Sequence, residues 1–96
     1  MIKHIVLWKM KPQDAAANMR LMRERLLALK GVVPGIVEMV CGPDFVQSAV
    51  SYDFALICTL KDSKALAIYN DHPEHVKVKQ FIGQVTDTRV VADFEI

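Results

Sequence analysis

No long uninterrupted apolar run is present in the chain: charged or polar residues break every stretch well short of the roughly 18 residues that a membrane-spanning helix needs. The first apolar stretch, Ile5 to Trp8, lies between His4 and Lys9 with no cleavage-site pattern, so no signal peptide is expected. Charge of one sign is also missing. Twelve Lys and Arg against eleven Asp and Glu leave +1, which excludes a nucleic-acid footprint and an acidic tail. The small cluster Lys3, Lys9 and Lys11 reads as a solvated strand edge. Cysteine is scarce: Cys41 and Cys58 lie in apolar, strand-like runs without CxxC spacing. They read as small core residues in a reducing compartment, and the cytoplasm is the expected location. Serine or cysteine nucleophile motifs, glycine-rich phosphate loops, dinucleotide fingerprints, repeats and linkers are all absent.

Apolar residues, in contrast, are abundant. They make up 52% of 96 residues, and a single small domain over residues 1–96 hides only about 60–70% of its unfolded surface. With membrane insertion excluded, the surplus predicts an apolar face turned to a partner.

Periodicity places the elements. Ile2 to Lys11 alternates as a strand, with His4, Val6, Trp8 and Met10 on one face and Ile5 and Leu7 on the other. Pro12 opens a helix with the stripe Ala15, Met19, Met22, Leu26 and Leu29; Gly31 stops it and Pro34-Gly35 makes the turn. Ile36 to Cys41 is a second strand, followed by a loop from Gly42 through Ser51 and a third strand over Tyr52 to Leu60. Asp62 or Ser63 caps a second helix that begins near Lys64. Pro73 interrupts it, a further helical piece runs from about Pro73 to Phe81, and Gly83 breaks that piece. Thr86 to Ile96 is the last strand. The predicted order is β-α-β-β-α-β, the α+β ferredoxin-like arrangement with an antiparallel four-stranded sheet. Helices cover one sheet face, so Ile5, Leu7, Ala55, Ile57 and Val91 are assigned to the other. A homodimer packed sheet to sheet is the simplest way to bury them.

Chemistry is concentrated in Tyr69-Asn70-Asp71-His72-Pro73-Glu74-His75, after the second helix. If the His4 face meets the helices, His4, Tyr69 and His75 line one cavity. A neutral imidazole abstracts a proton near pH 7, and a tyrosine hydroxyl polarises a carbonyl or holds an enolate. Each residue also has a plainer reading: His4 as a hydrogen-bonded core histidine, Tyr69 as a core aromatic, His72 as the organiser of the bend at Pro73. His72-x-x-His75 with His4 could hold a metal. However, Asp71 and Glu74 read as solvated, leaving no clear acidic or thiolate ligand, so neither metal nor cofactor is expected.

Several motifs give the chain a family resemblance over nearly its whole length. They are His4-Ile5-Val6-Leu7-Trp8-Lys9, Val33-Pro34-Gly35-Ile36, Tyr52-Asp53, Tyr69-x-x-His72-Pro73-x-His75 and Asp93-Phe94. In this order and spacing the chain resembles the stress-responsive dimeric α/β barrel (Dabb) family. The resemblance implies a ferredoxin-like protomer whose sheet packs on its twin as a dimeric α/β barrel. A plant polyketide cyclase of that family works by aldol condensation without cofactor, and its catalytic His, Tyr and His fall on His4, Tyr69 and His75. By that resemblance His75 is the general base, Tyr69 positions it or binds the carbonyl oxygen, and His4 supports the pocket. The expected function is binding of a small carbonyl or aromatic compound in a His/Tyr pocket, with cofactor-independent cyclase or lyase chemistry as the enzymatic form. The alternatives are a non-enzymatic stress-associated dimer and a cofactor-free monooxygenase or isomerase of the wider barrel superfamily.

Overall fold

A computed structural model describes residues 1–96. The elements are β1 (Ile2–Met10), α1 (Ala15–Ala28), a 3-10 turn (Leu29–Gly31), β2 (Ile36–Pro43), β3 (Phe54–Leu60), α2 (Ser63–Asp71), α3 (Pro73–Val85) and β4 (Thr86–Glu95). The strands form one antiparallel sheet in the order β2-β3-β1-β4. This is the ferredoxin-like βαββαβ topology expected from the sequence.

Strand alternation decides which residues enter the core. Val6 and Trp8 of β1 and Phe54, Leu56, Cys58 and Leu60 of β3 face the helices and are buried, with Met22 and Leu26 of α1 packed over them. Both cysteines are free thiols; Cys58 is fully buried and Cys41 half-buried. Burial raises both thiols, Cys58 to about 12, which keeps them protonated packing groups. No helix is long and apolar enough to cross a membrane.

Three local features hold the frame. Gly35 has φ 90°, and a Cβ there would meet Ala65 Cβ at 2.7 Å, so the turn into β2 needs glycine twice over. Asp62 caps α2, its Oδ1 accepting from the Ala65 N–H at 2.8 Å. His72 caps α3, its Nδ1 accepting from the Glu74 N–H at 3.1 Å, with Pro73 in the first turn. The bend at Pro73 is thus a shared helix boundary organised by His72.

Several expectations need correction. Helix α1 begins at Ala15 rather than Pro12, because Asp14 takes up a left-handed conformation at φ 55° and closes a turn first. Strand β3 begins at Phe54, two residues after Tyr52. The Asp53 N–H still bonds to the Trp8 carbonyl, and its carboxylate accepts from the Met10 N–H. Strand β2 continues through Gly42 to Pro43. Gly83 does not break α3, which runs on to Val85: a helical glycine costs only about 1 kcal/mol relative to alanine.

The largest correction concerns β4. Val91 pairs with Val6, so it lies on the helix side of the sheet. Val90, Ala92 and Phe94 pair with Leu7, Ile5 and Lys3 and occupy the open face instead. Adjacent valines left the parity of this strand undefined, and a one-residue change of parity turns every side chain over. The open face therefore carries Ile5, Leu7, Val40, Ala55, Ile57, Val90 and Phe94.

Candidate functional site

Alternation in β1 sends His4 inward beside Val6 and Trp8, while the helical spacing of α2 and α3 sends Tyr69 and His75 down onto them. All three are buried in the protomer. The rings pack as a contiguous group: Tyr69 stacks on His75 with centroids 3.9 Å apart and planes at 25°, and meets His4 edge-on at 5.7 Å. A cavity of about 170 Å³ opens beside them, lined also by Trp8, Lys79, Gly83 and Arg89. His4, Tyr69 and His75 all line this one cavity.

Hydrogen bonding differentiates the two imidazoles. His75 Nδ1 lies 2.7 Å from the Tyr69 carbonyl oxygen. A carbonyl only accepts, so Nδ1 carries the proton and Nε2 is left with its lone pair. Burial holds His75 well below the ordinary histidine value, at about 4, and nearby Lys79 pushes the same way. His75 is a neutral acceptor at physiological pH. His4 Nδ1 instead lies 2.5 Å from Asp93 Oδ1, a carboxylate oxygen that only accepts, so Nδ1 carries the proton here too. Neither Nε2 has a partner in the protein.

Two donors are buried without any acceptor: the Tyr69 hydroxyl and the Trp8 indole N–H. Both residues line the cavity. An unsatisfied buried group of this kind costs about 1–3 kcal/mol, and native proteins keep few of them. Burial also pushes the Tyr69 phenol up, so it remains a proton donor throughout the physiological range.

The family model for the stress-responsive A/B barrel domain matches residues 2–96. The chain belongs to that family. This A/B barrel domain is also 29% identical over 97 residues to an uncharacterized protein of Streptomyces coelicolor, covering 99% of each. Among solved structures, a dimeric ferredoxin-like protein of unknown function from Thermobifida fusca superposes with a TM-score of 0.88 at 25% identity, covering 99% of this chain and 90% of that one. A hydroxynitrile lyase from Passiflora edulis superposes with a TM-score of 0.87 over 99% of this chain and 92% of its own. At 17% identity that likeness concerns the fold alone.

Sequence reasoning missed Trp8, Lys79 and Arg89 of the A/B barrel domain's pocket lining, and Asp93, which bonds to His4 without lining the cavity itself. Lys79 was recoverable, since it stands one helical turn beyond His75. Asp93, Arg89 and the strand-paired position of Trp8 required the β1–β4 register.

Proposed function

We propose that the pocket binds a small carbonyl compound and removes a proton from the carbon beside its carbonyl, without a cofactor. The observation that carries this reading is the Tyr69 hydroxyl, buried and without a partner, on a ring that packs against both imidazoles and belongs to the cavity lining. A ligand carbonyl oxygen supplies the acceptor that the protein withholds. As the C–H proton leaves, its electron pair forms the carbon–carbon double bond of the enolate, the carbonyl π pair moves onto oxygen, and the Tyr69 O–H bond to that oxygen strengthens.

The base in this reading is His4, the role that the family resemblance gives to His75. Burial leaves His75 a weak base, whereas the His4 ring lines the cavity with Nε2 free and a carboxylate behind Nδ1. His4 takes the proton on Nε2 while Asp93 balances the new charge. His75 orients the Tyr69 ring by stacking and offers Nε2 to an enol hydroxyl. Returning a solvent-derived proton to carbon gives exchange; attack of the enolate carbon on a second carbonyl, whose oxygen is then protonated, gives cyclase chemistry, and the reverse, cleavage of a β-hydroxy carbonyl that releases the enolate, gives lyase chemistry.

The same reading includes a homodimer through the open sheet face. The exposed Val40, Ile57, Val90 and Phe94 support it, as does the dimeric state of the Thermobifida fusca relative.

Hexane-2,5-dione tests the chemistry. In deuterated buffer the protein should accelerate deuteration of its methylene groups, followed by proton NMR. Tyr69→Phe and His4→Gln should each slow that reaction at least tenfold, within the roughly 10²–10⁴ that a general base contributes. A wild-type rate no faster than buffer rejects the proposal.

A further inference from the structure

We propose that the ligand of this pocket is an anion: a small carbonyl compound that also carries a carboxylate, held at the cavity mouth by Arg89 and Lys79. This rests on the reading of the cavity as a carbonyl site and adds a substrate class to it.

Charge on the cavity wall is one-sided. Its lining contains Lys79 and Arg89 but no aspartate or glutamate. Arg89 forms no ion pair and no side-chain hydrogen bond within the protein; the two ion pairs present join His4 to Asp93 and Lys77 to Glu74. A guanidinium is always charged and presents a planar fork of donors matched to a carboxylate. Lys79 donates to the Asn70 carbonyl at 2.7 Å, which leaves other ammonium donors free for a second acceptor.

Topology sets these cations at the entrance. Arg89 pairs with Trp8 across β1 and β4, so both project to the helix side of the sheet. Strand β4 is the sheet edge, and apart from half-buried Thr86 at its start it is exposed along its length. Lys79 comes from α3, one turn beyond His75. The mouth thus lies between the β4 edge and α3, with one cation on each side.

Deeper in, the unsatisfied groups are both donors. The Trp8 N–H can only donate, so whatever satisfies it must bring an acceptor. The cavity of about 170 Å³ is comparable to an engineered cavity of about 150 Å³ that holds benzene. It admits a short oxo acid, its carboxylate at the mouth and its ketone oxygen at Tyr69.

Levulinate and hexane-2,5-dione separate charge from shape, because they differ only in a carboxylate against an acetyl group at one end. Affinities are measured by ligand-observed NMR titration of the wild type and of the double variant Arg89→Gln, Lys79→Gln. The wild type should bind levulinate roughly tenfold more tightly or better, as expected for charge-assisted hydrogen bonds. In the double variant that ratio should fall to near one. Both residues are exposed, so the variant should fold, and far-ultraviolet circular dichroism checks it. Equal affinities in the wild type, or a preference that survives in the variant, overturn the anion assignment alone. Binding of neither compound overturns the carbonyl site and the anion assignment with it.

Discussion

His4 and Asp93 face each other across β1 and β4, with Nδ1 2.5 Å from Oδ1. The pairing leaves Nε2 as the free nitrogen of a buried ring that lines the cavity. Asp93 is a positioning residue in this arrangement: it fixes the tautomer of His4 and balances the charge the ring acquires. Asp93→Asn replaces one acceptor oxygen by a donor and allows the ring to bind in the wrong tautomer. Deuteration of hexane-2,5-dione should slow at least tenfold at saturation, with affinity little changed. A parallel loss of affinity would instead point to collapse of the pocket.

Tyr69→Phe should raise stability while lowering function. The hydroxyl is buried without an acceptor, so its removal relieves a desolvation cost of about 1 kcal/mol or more in the free protein. Urea unfolding without ligand should give a higher midpoint for the variant at an unchanged slope. A lower midpoint would mean that the hydroxyl is satisfied in solution.

Acid should destabilise the fold through His75. Its folded value is about 4 against an ordinary 6.5, so between these limits the unfolded chain takes up a proton that the folded chain refuses. The contribution is complete above pH 6.5 and disappears as pH falls toward 4. It amounts to at most roughly 3 kcal/mol. Comparing urea midpoints at neutral pH and near the lower limit should reveal the loss in the wild type, with a smaller one in His75→Gln. Identical losses in both proteins would assign the effect to other groups.

Gly83 lies in α3 against the cavity, and a Cβ added there meets nothing within 4 Å. Gly83→Ala should therefore stabilise the helix by about 0.5–1 kcal/mol. Gly83→Leu extends into the same space and should weaken hexane-2,5-dione binding at least tenfold without unfolding the protein. Thermal melts and NMR titration read the two effects separately, and undiminished binding by Gly83→Leu would move the ligand elsewhere.

Ile57 pairs with Ile5 on one side and Val40 on the other, at the middle of the open face. In the proposed homodimer this position is buried against the partner. Light scattering at micromolar concentration should give a dimer for the wild type and a monomer for Ile57→Lys. A monomeric wild type ends the sheet-to-sheet assignment.

Legibility in the sequence followed how sharply each residue pattern was constrained. Strand β1 was readable because His4, Val6 and Trp8 alternate with Ile5 and Leu7, and this alone aimed His4 at the helices. The Tyr69-to-His75 spacing around Pro73 placed the other two rings. Strand β4 was not readable in the same way. Val90 and Val91 suit either face, and its inward set is decided by pairing with β1. Asp93 and Arg89 were lost with that parity, and with them the carboxylate behind His4 and the cation at the mouth. Gly83 looked like a stop because local propensity favours one, yet the tertiary fold continues the helix through it.

Consecutive residues of β1 point alternately into the pocket and onto the open face, so single substitutions along the strand can retune one surface and leave the other intact. Deleting one residue within it has the opposite effect. Every later side chain changes sides, which drives Ile5 and Leu7 toward Tyr69 and displaces imidazole or indole groups outward. This strand should accept many replacements during divergence yet tolerate almost no change of length.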